Sequence, residues 1–218
     1  MVNPSKITEG GTVHSLGEFD GKKVDYDFAK ILAYLNAKGK RLFGQKFHIW
    51  EENLDIVYRL SVYMIKDTEA CQKFGIDPDK GILLTGPVGC GKTTIMKLIR
   101  HIVPHIRPYE IIPARNITFG FNNLGYRIIE DYGNNSFYCF DDIGVEPIGR
   151  HFGKDCNVIG EILLSRHEVF LKSRVRTHGT TNLNADELEE RYGERVRSRM
   201  REMFNLIAFK KDAKDKRK

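Results

Sequence analysis

No stretch of this sequence is apolar for anything near the roughly 18 residues that a membrane-spanning helix needs. The opening residues, MVNPSKITEGG, lack the apolar centre of a secretory signal. Both absences lead to the expectation of a soluble, cytoplasmic protein with no membrane partner. Cysteine is scarce: Cys71, Cys90, Cys139 and Cys156 lie far apart and form no Cys-x-x-Cys pair. That argues against a zinc module and against a disulfide framework. Net charge is +6, and it is unevenly placed. From Arg195 to Lys218 there are ten Lys/Arg against three Asp/Glu, giving +7 and leaving −1 for the rest. Such a local cluster either solvates a terminal tail or touches nucleic-acid phosphates.

What is present is enough for a folded core. Of the 218 residues, 41% are hydrophobic, which excludes global disorder and fits one domain plus an extension. The first 22 residues hold Gly, Ser, Thr and Pro with little periodicity and read as a loose arm. From Val24 to Ala37, Phe28, Ile31, Leu32 and Leu35 fall at helical spacing. A basic, glycine-containing joint follows, KGKRLFGQK. The segment EENLDIVYRLSVYMIKDTEACQKFG then reads as one long helix stopped by Gly75.

Beyond Gly75, short apolar runs alternate with amphipathic segments. The expected strands are GILLT (81–85), EIIPA (110–114), FYCF (137–140), VRTHGTT (175–181) and NLIAF (205–209). Helical patterns fill 92–103, 118–132, 157–171 and 185–203. This alternation predicts an α/β fold, a parallel sheet covered by helices on both faces.

GILLT runs into GPVGCGKTT. Gly86, Pro87, Val88, Gly89, Cys90, Gly91, Lys92, Thr93 and Thr94 form a phosphate-binding loop of the pattern G-x-x-x-x-G-K-[ST]. Its glycines let backbone N–H groups turn inward, and the following helix adds its positive end. Lys92 reaches the β/γ phosphates and the Thr93 hydroxyl ligates Mg²⁺. Cys90 reads as a small filler of that loop. In FYCFDDIG two carboxylates emerge at the end of a buried strand, where open α/β sheets bind ligands. Asp141 is expected to hold Mg²⁺ through water, and Asp142 to polarise the attacking water. The strand ending THGTTNLN delivers Thr180, Thr181 and Asn182 to the same edge. Asn182 is expected to orient water or touch the γ-phosphate, and Asn184 with Glu187 has the spacing of a capping box.

In this order and spacing, GPVGCGKTT, FDDIG, GTTNLN and GERVRSRM resemble the AAA+ ATPases of the helicase-loader group: the DnaC/DnaI-type loaders and the IstB-like transposition ATPases. The resemblance covers about residues 50 to 210. It implies a P-loop NTPase core with a five-stranded parallel sheet in the order 5-1-4-3-2. Lys92 and Thr93 would belong to Walker A, Asp141 and Asp142 to Walker B, Asn182 to sensor 1. Arg199 would be the arginine finger, with Arg195 close by. If 194–203 is helical, Val196, Met200 and Met203 make an apolar stripe with Arg195/Arg199 on one flank and Arg197/Arg201 on the other. Walker B ends in Asp-Asp where many AAA+ proteins have Asp-Glu, and only nine residues follow NLIAF, so no C-terminal lid is expected.

The resulting expectation is a Mg²⁺-dependent ATPase accessory to DNA replication. It would form a nucleotide-dependent homo-oligomer, contact single-stranded DNA, and load or regulate a replicative helicase. A transposase is the alternative partner, and a nucleotide switch with little turnover the alternative mode. A small-molecule P-loop kinase fits the Asp-Asp strand end and Asn182 poorly. The expected domains are an arm and helical extension (1–49), an ATPase core (50–210) and a basic tail (211–218).

Overall fold

The computed structural model describes residues 3–216. The last two residues of the basic tail, Arg217 and Lys218, lie outside that range. Two compact units emerge: one of residues up to 78 together with 94–108, the other of residues 79–93 and from 109 onward.

The first unit opens with strands, not with a loose arm. β1 (Lys6–Glu9) and β2 (Thr12–Ser15) form one antiparallel hairpin, β3 (Gly17–Phe19) and β4 (Val24–Tyr26) another. Gly10 and Gly11, at φ of 56° and 79°, supply the two left-handed residues of a tight hairpin turn. Ile7 and Leu16 are buried, so the hairpins have an apolar anchor. α1 (Phe28–Phe43) starts where the Asp27 carboxylate accepts the N–H groups of Ala29 and Lys30 at 2.8 and 3.2 Å. The long helix expected over 51–75 is broken into a 3-10 turn (Glu51–Asn53), α2 (Leu54–Met64) and α3 (Thr68–Lys73). Lys66 takes a left-handed φ of 57°, and Asp67 caps the new helix by accepting the Ala70 N–H at 2.9 Å. That local cap outweighs the helical periodicity running through it.

The second unit holds β5 (Gly81–Thr85), from which the chain enters α4 (Lys92–Ile99), whose residues from Thr94 onward belong to the first unit. Then come β6 (Glu110–Pro113), α5 (Ala114–Leu124), α6 (Arg127–Gly133) and β7 (Tyr138–Asp141). A small hairpin of β8 (Gly149–His151) and β9 (Lys154–Cys156) precedes α7 (Val158–Ser173). β10 (Thr177–Thr181), α8 (Ala185–Tyr192), α9 (Glu194–Met203) and β11 (Phe204–Ala208) complete it. The five expected strands form within two residues of their predicted bounds. The helical pattern over 185–203 is two helices, because Gly193 at φ 83° ends the first.

The five strands make one parallel sheet in the order β11-β5-β10-β7-β6. Numbered within the sheet, that is the expected 5-1-4-3-2. Phe140 and Leu83 of the sheet, Ile117 and Phe121 of α5, Ile159 and Leu163 of α7 and Met200 of α9 share its core. Each such side chain contributes about 1.5–3 kcal/mol by leaving water. Among the described residues no helix is long and apolar enough to cross a membrane.

Candidate functional site

Strand register builds the site. β5, β10 and β7 are neighbours and parallel, so their carboxyl ends open at one edge. Gly179 lies opposite Phe140, and Thr181 opposite Thr85. Thr180 therefore comes level with Asp141, one step past the last paired residues, and the loop after Thr85 starts beside Thr181. The Gly86 N–H donates to the Thr181 carbonyl at 3.3 Å.

Within the loop, Gly86, Gly89 and Gly91 have φ of 157°, 81° and 106°. The Lys92 ammonium is buried and curls into the loop, donating to the carbonyls of Gly86 and Pro87 at 2.7 and 2.9 Å. Val88 is the exposed tip, whereas Cys90 is buried, and burial pushes its thiol pKa up. Thr94 continues the helix one residue beyond Thr93.

The Thr93 hydroxyl donates to Asp141 Oδ1 at 2.7 Å, and the Thr180 hydroxyl donates to the same oxygen at 2.7 Å. Thr180 Oγ1 in turn accepts the Asp142 N–H at 2.9 Å. Asp141 is buried and Asp142 is exposed. Asp142 sits at φ 57°, a left-handed conformation that costs a non-glycine residue about 1–2 kcal/mol. Asn182 is held between two anchors. The Thr181 hydroxyl donates to the Ile143 carbonyl at 2.7 Å, and the Leu183 carbonyl accepts from Thr85 Oγ1 at 3.2 Å. The Asn182 Oδ1 is buried with no hydrogen-bond partner among the described residues. The capping box is present: Asn184 Oδ1 accepts the Glu187 N–H at 3.0 Å, and Glu187 Oε2 accepts the Asn184 N–H at 2.7 Å.

The structure thus brings Lys92, Thr93, Asp141, Asp142 and Asn182 to one edge. Arg199 is held elsewhere. α9 buries Val196, Met200 and Met203, which is the expected stripe. Arg199 Nη1 donates to Glu202 Oε1 at 3.1 Å, and Glu202 Oε2 meets His167 Nε2 at 2.8 Å. The hydrogen bond from His167 and the Arg199 charge lower the Glu202 pKa. On the other flank Arg201 reaches Glu189 of α8 at 3.4 Å.

Two features of the site escape sequence reasoning. Glu146, in the loop after Asp142, is a buried carboxylate. It accepts the Gly144 N–H at 2.8 Å and the Tyr192 hydroxyl at 2.7 Å, tying that loop to α8. Burial and the Glu146 charge keep the Tyr192 phenol protonated as donor. A lone Glu in the apolar loop IGVEPIG was its only signal. The second is the tail. After Phe209 it returns over the phosphate loop: the Lys216 N–H donates to the Gly89 carbonyl at 3.1 Å. A Cβ built on Gly89 would fall 2.0 Å from Asp215 Oδ1, so the carboxylate lies directly on the loop.

The residues fit a nucleotide with a hard cation. Thr93 and Asp141 present oxygen donors, which suit Mg²⁺. Asn182 presents an unpartnered amide oxygen at the same edge. Among the described residues no group of three or more His, Cys, Asp or Glu forms a protein-only metal cage. A cation at Asp141 would therefore draw further ligands from phosphate and water.

No family model matches the chain. A proteasome-activating nucleotidase from Pyrococcus furiosus is 54% identical over 39 residues, 18% of this chain and 10% of that protein. One from Aeropyrum pernix is 43% identical over 49 residues, 22% of this chain and 12% of that protein. The chain thus spans only about a tenth of the length of these curated relatives. Solved structures match more broadly. The DnaC helicase loader aligns with TM-score 0.55 and 20% identity over 75% of this chain and 94% of that one. DnaI aligns with TM-score 0.51 and 17% identity over 77% and 90%. A protein described as a primosome component from Streptococcus pyogenes serotype M3 aligns with TM-score 0.54 and 16% identity over 76% and 83%. At these identities the likeness is one of fold: the chain shares the α/β fold, with its five-stranded parallel sheet, of the DnaC helicase loader and of DnaI.

Proposed function

We propose that the chain binds and hydrolyses ATP and serves DNA replication by loading or regulating a replicative helicase, with a transposase as the second candidate partner. The observation that carries the ATPase reading is the meeting of Thr93 and Asp141 at 2.7 Å beside the Lys92 ammonium and the unpartnered Asn182 oxygen. The replication role is supported by the fold likeness to DnaC, which covers 94% of that chain.

In this reading Lys92 exchanges its two carbonyl partners for β- and γ-phosphate oxygens, a stronger charge-assisted bond. The glycine-rich backbone turns its N–H groups toward the same oxygens. Thr93 and Asp141 together hold Mg²⁺, which when bound neutralises charge on the phosphates. Asp142, held by Thr180, accepts hydrogen bonds from the attacking water and orients it. Asn182 fixes that water or the γ-phosphate. Arg199 leaves Glu202 to reach the nucleotide of a neighbouring subunit. Its planar, permanently charged fork suits two phosphate oxygens, and a finger of this kind is worth about 10³–10⁵ in rate.

The test is complementation. Arg199→Ala and Asp142→Asn each bind ATP and turn it over at a small fraction of the wild-type rate. Mixed one to one, about a quarter of their interfaces pair an intact finger with an intact carboxylate, and activity returns to that order. A mixture as inactive as its parts, from variants shown to co-assemble, rules out the shared site.

A further inference from the structure

The basic joint noted in the sequence has no place in the nucleotide site. Residues 28–50, FAKILAYLNAKGKRLFGQKFHIW, carry five Lys/Arg and no Asp/Glu. Residues 1–78 as a whole carry eleven of each. One region of a neutral segment has therefore been kept free of carboxylates, bounded by Glu51 and Glu52.

The fold concentrates this region on one surface of the first unit. After α1 the chain turns at Gly44 and runs back along the helix. The Ile49 N–H donates to Asn36 Oδ1 at 2.8 Å. The Phe47 ring lies on Gly39: a Cβ there would come within 2.0 Å of it, so only glycine permits this approach in mid-helix. Asn36, Lys40 and Phe43 follow at i, i+4 and i+7 on one side of α1. The returning loop adds Lys46, Phe47, His48 and Trp50 beside them. Phe43 and Phe47 rings are 5.3 Å apart, His48 and Trp50 rings 4.2 Å.

A loop pinned this firmly usually turns its rings inward. Here Phe43 is 41% exposed and Trp50 47% exposed, and Lys40, Lys46 and His48 are exposed among them. Complementing the helix dipole explains basic residues in the last turn. It does not explain Lys46, nor two large rings held at the surface. The local field is positive. Glu9 is shared by Lys38 at 2.5 Å and Arg41 at 3.0 Å. Nearby His101 is pushed down to about 4, first by burial and then by Lys38 and Arg100.

We propose that Lys40, Phe43, Lys46, Phe47, His48 and Trp50 form a binding surface for single-stranded nucleic acid. The lysines take the phosphates and the exposed rings stack on successive bases. Base stacking on an aromatic side chain is worth about 1–3 kcal/mol and tolerates any sequence. Charge complementarity selects this partner: the surface is apolar and cationic together, as a polyanion with flat bases requires. The inference deepens the DNA-acting part of the proposed function and rests on it for the identity of the strand. The ATP-site residues Lys92, Thr93, Asp141 and Asp142 belong to the other unit, so the two can fail separately.

Trp50 is the single tryptophan of the chain, so its fluorescence reports on this surface alone. The full chain is titrated with a thymidine oligonucleotide of about 16 residues at low salt, a length within the range of single-strand sites. Quenching is expected, with log affinity falling against log salt by about 0.7 per phosphate contact. Lys40→Glu with Lys46→Glu lowers affinity at least tenfold while ATP binding, measured in the same sample, is unchanged. Binding by anisotropy without quenching of Trp50 overturns the proposal. So does undiminished affinity in the double variant, or no binding at all, which leaves the surface to a protein partner. Absence of ATP turnover in the unmodified chain, with quenching intact, would instead sink the ATPase reading and leave this surface standing.

Discussion

Thr180 donates its hydroxyl hydrogen to Asp141 Oδ1 at 2.7 Å, and its own Oγ1 accepts the N–H of Asp142 at 2.9 Å. One side chain thus fixes the carboxylate read as the cation ligand and the backbone of the carboxylate read as the water-orienting group. It also holds Asp142 in its left-handed conformation. Such strain persists only where neighbours over-determine it.

Replacing Thr180 should therefore uncouple position from composition. Thr180→Val leaves every proposed site group in place but orphans the Asp142 N–H, at a cost of about 1–3 kcal/mol. ATP turnover is expected to fall about tenfold or more, with nucleotide affinity within a fewfold of wild type. Thr180→Ser should restore it. If Ser and Val behave alike in steady-state turnover, the hydroxyl does not position Asp142.

Lys92→Ala and Asp142→Asn should separate binding from chemistry. The first removes the ammonium that now bridges the Gly86 and Pro87 carbonyls, and ATP binding by calorimetry should be lost. The second keeps shape but not charge. ATP and Mg²⁺ should still bind, while turnover drops by about 10²–10⁴, the usual worth of an acid–base group. Hydrolysis by Asp142→Asn above roughly a tenth of wild type would remove Asp142 from that role.

Asp215 places a negative charge on a loop read as a phosphate cradle. Like charges at this range disfavour each other, so docking of the tail and of ATP should compete. Asp215→Asn is expected to tighten ATP binding by roughly 3- to 10-fold, about 0.7–1.4 kcal/mol. Removing residues from Lys211 onward should do at least as much. Weaker ATP binding in either variant would show that the tail supports the nucleotide and does not oppose it.

Acid should destabilise the chain through its buried imidazoles. His178 is pushed down to about 3 by burial and by the Arg176 and Arg166 charges, and its Nδ1 accepts the Ile82 N–H at 3.1 Å. His101 is pushed down to about 4. A histidine whose folded pKa lies below its unfolded value of about 6.5 leaves the unfolded state binding more protons between the two. Stability is then intact above about pH 6.5 and falls below it, by up to about 1.4 kcal/mol per pH unit and group, until each folded pKa is passed. Thermal unfolding from pH 7 to pH 4 should show this fall. His178→Asn, which keeps an acceptor for Ile82, should flatten it. An equal slope in that variant would assign the acid sensitivity elsewhere.

The sequence by itself determined the sheet. Five apolar runs of strand length, separated by segments of helical length, leave few ways to bury both faces. The five strands form, and their order is the one that the family resemblance implied. The phosphate loop was legible because it is local: its glycines, lysine and threonine are consecutive. The capping box at Asn184 and Glu187 was legible for the same reason.

Only the tertiary structure decided what depends on residues distant in the chain. Thr93 and Asp141 are 48 positions apart, and the sheet order together with the loop that leads from β5 into α4 brings them to 2.7 Å. Glu146 and Tyr192 are 46 apart, and burial, which periodicity cannot reveal for a single loop carboxylate, makes their bond matter. Periodicity also carried the helix over 51–75 through a point where the Asp67 side chain offered the backbone a better partner. Composition alone made the first residues a loose arm, although the Gly10–Gly11 pair was already a hairpin turn. The tail was read from its charge as solvated or DNA-facing, yet its backbone hydrogen-bonds to Gly89. Charge identifies what a segment can attract; where the preceding strand ends decides what it reaches first.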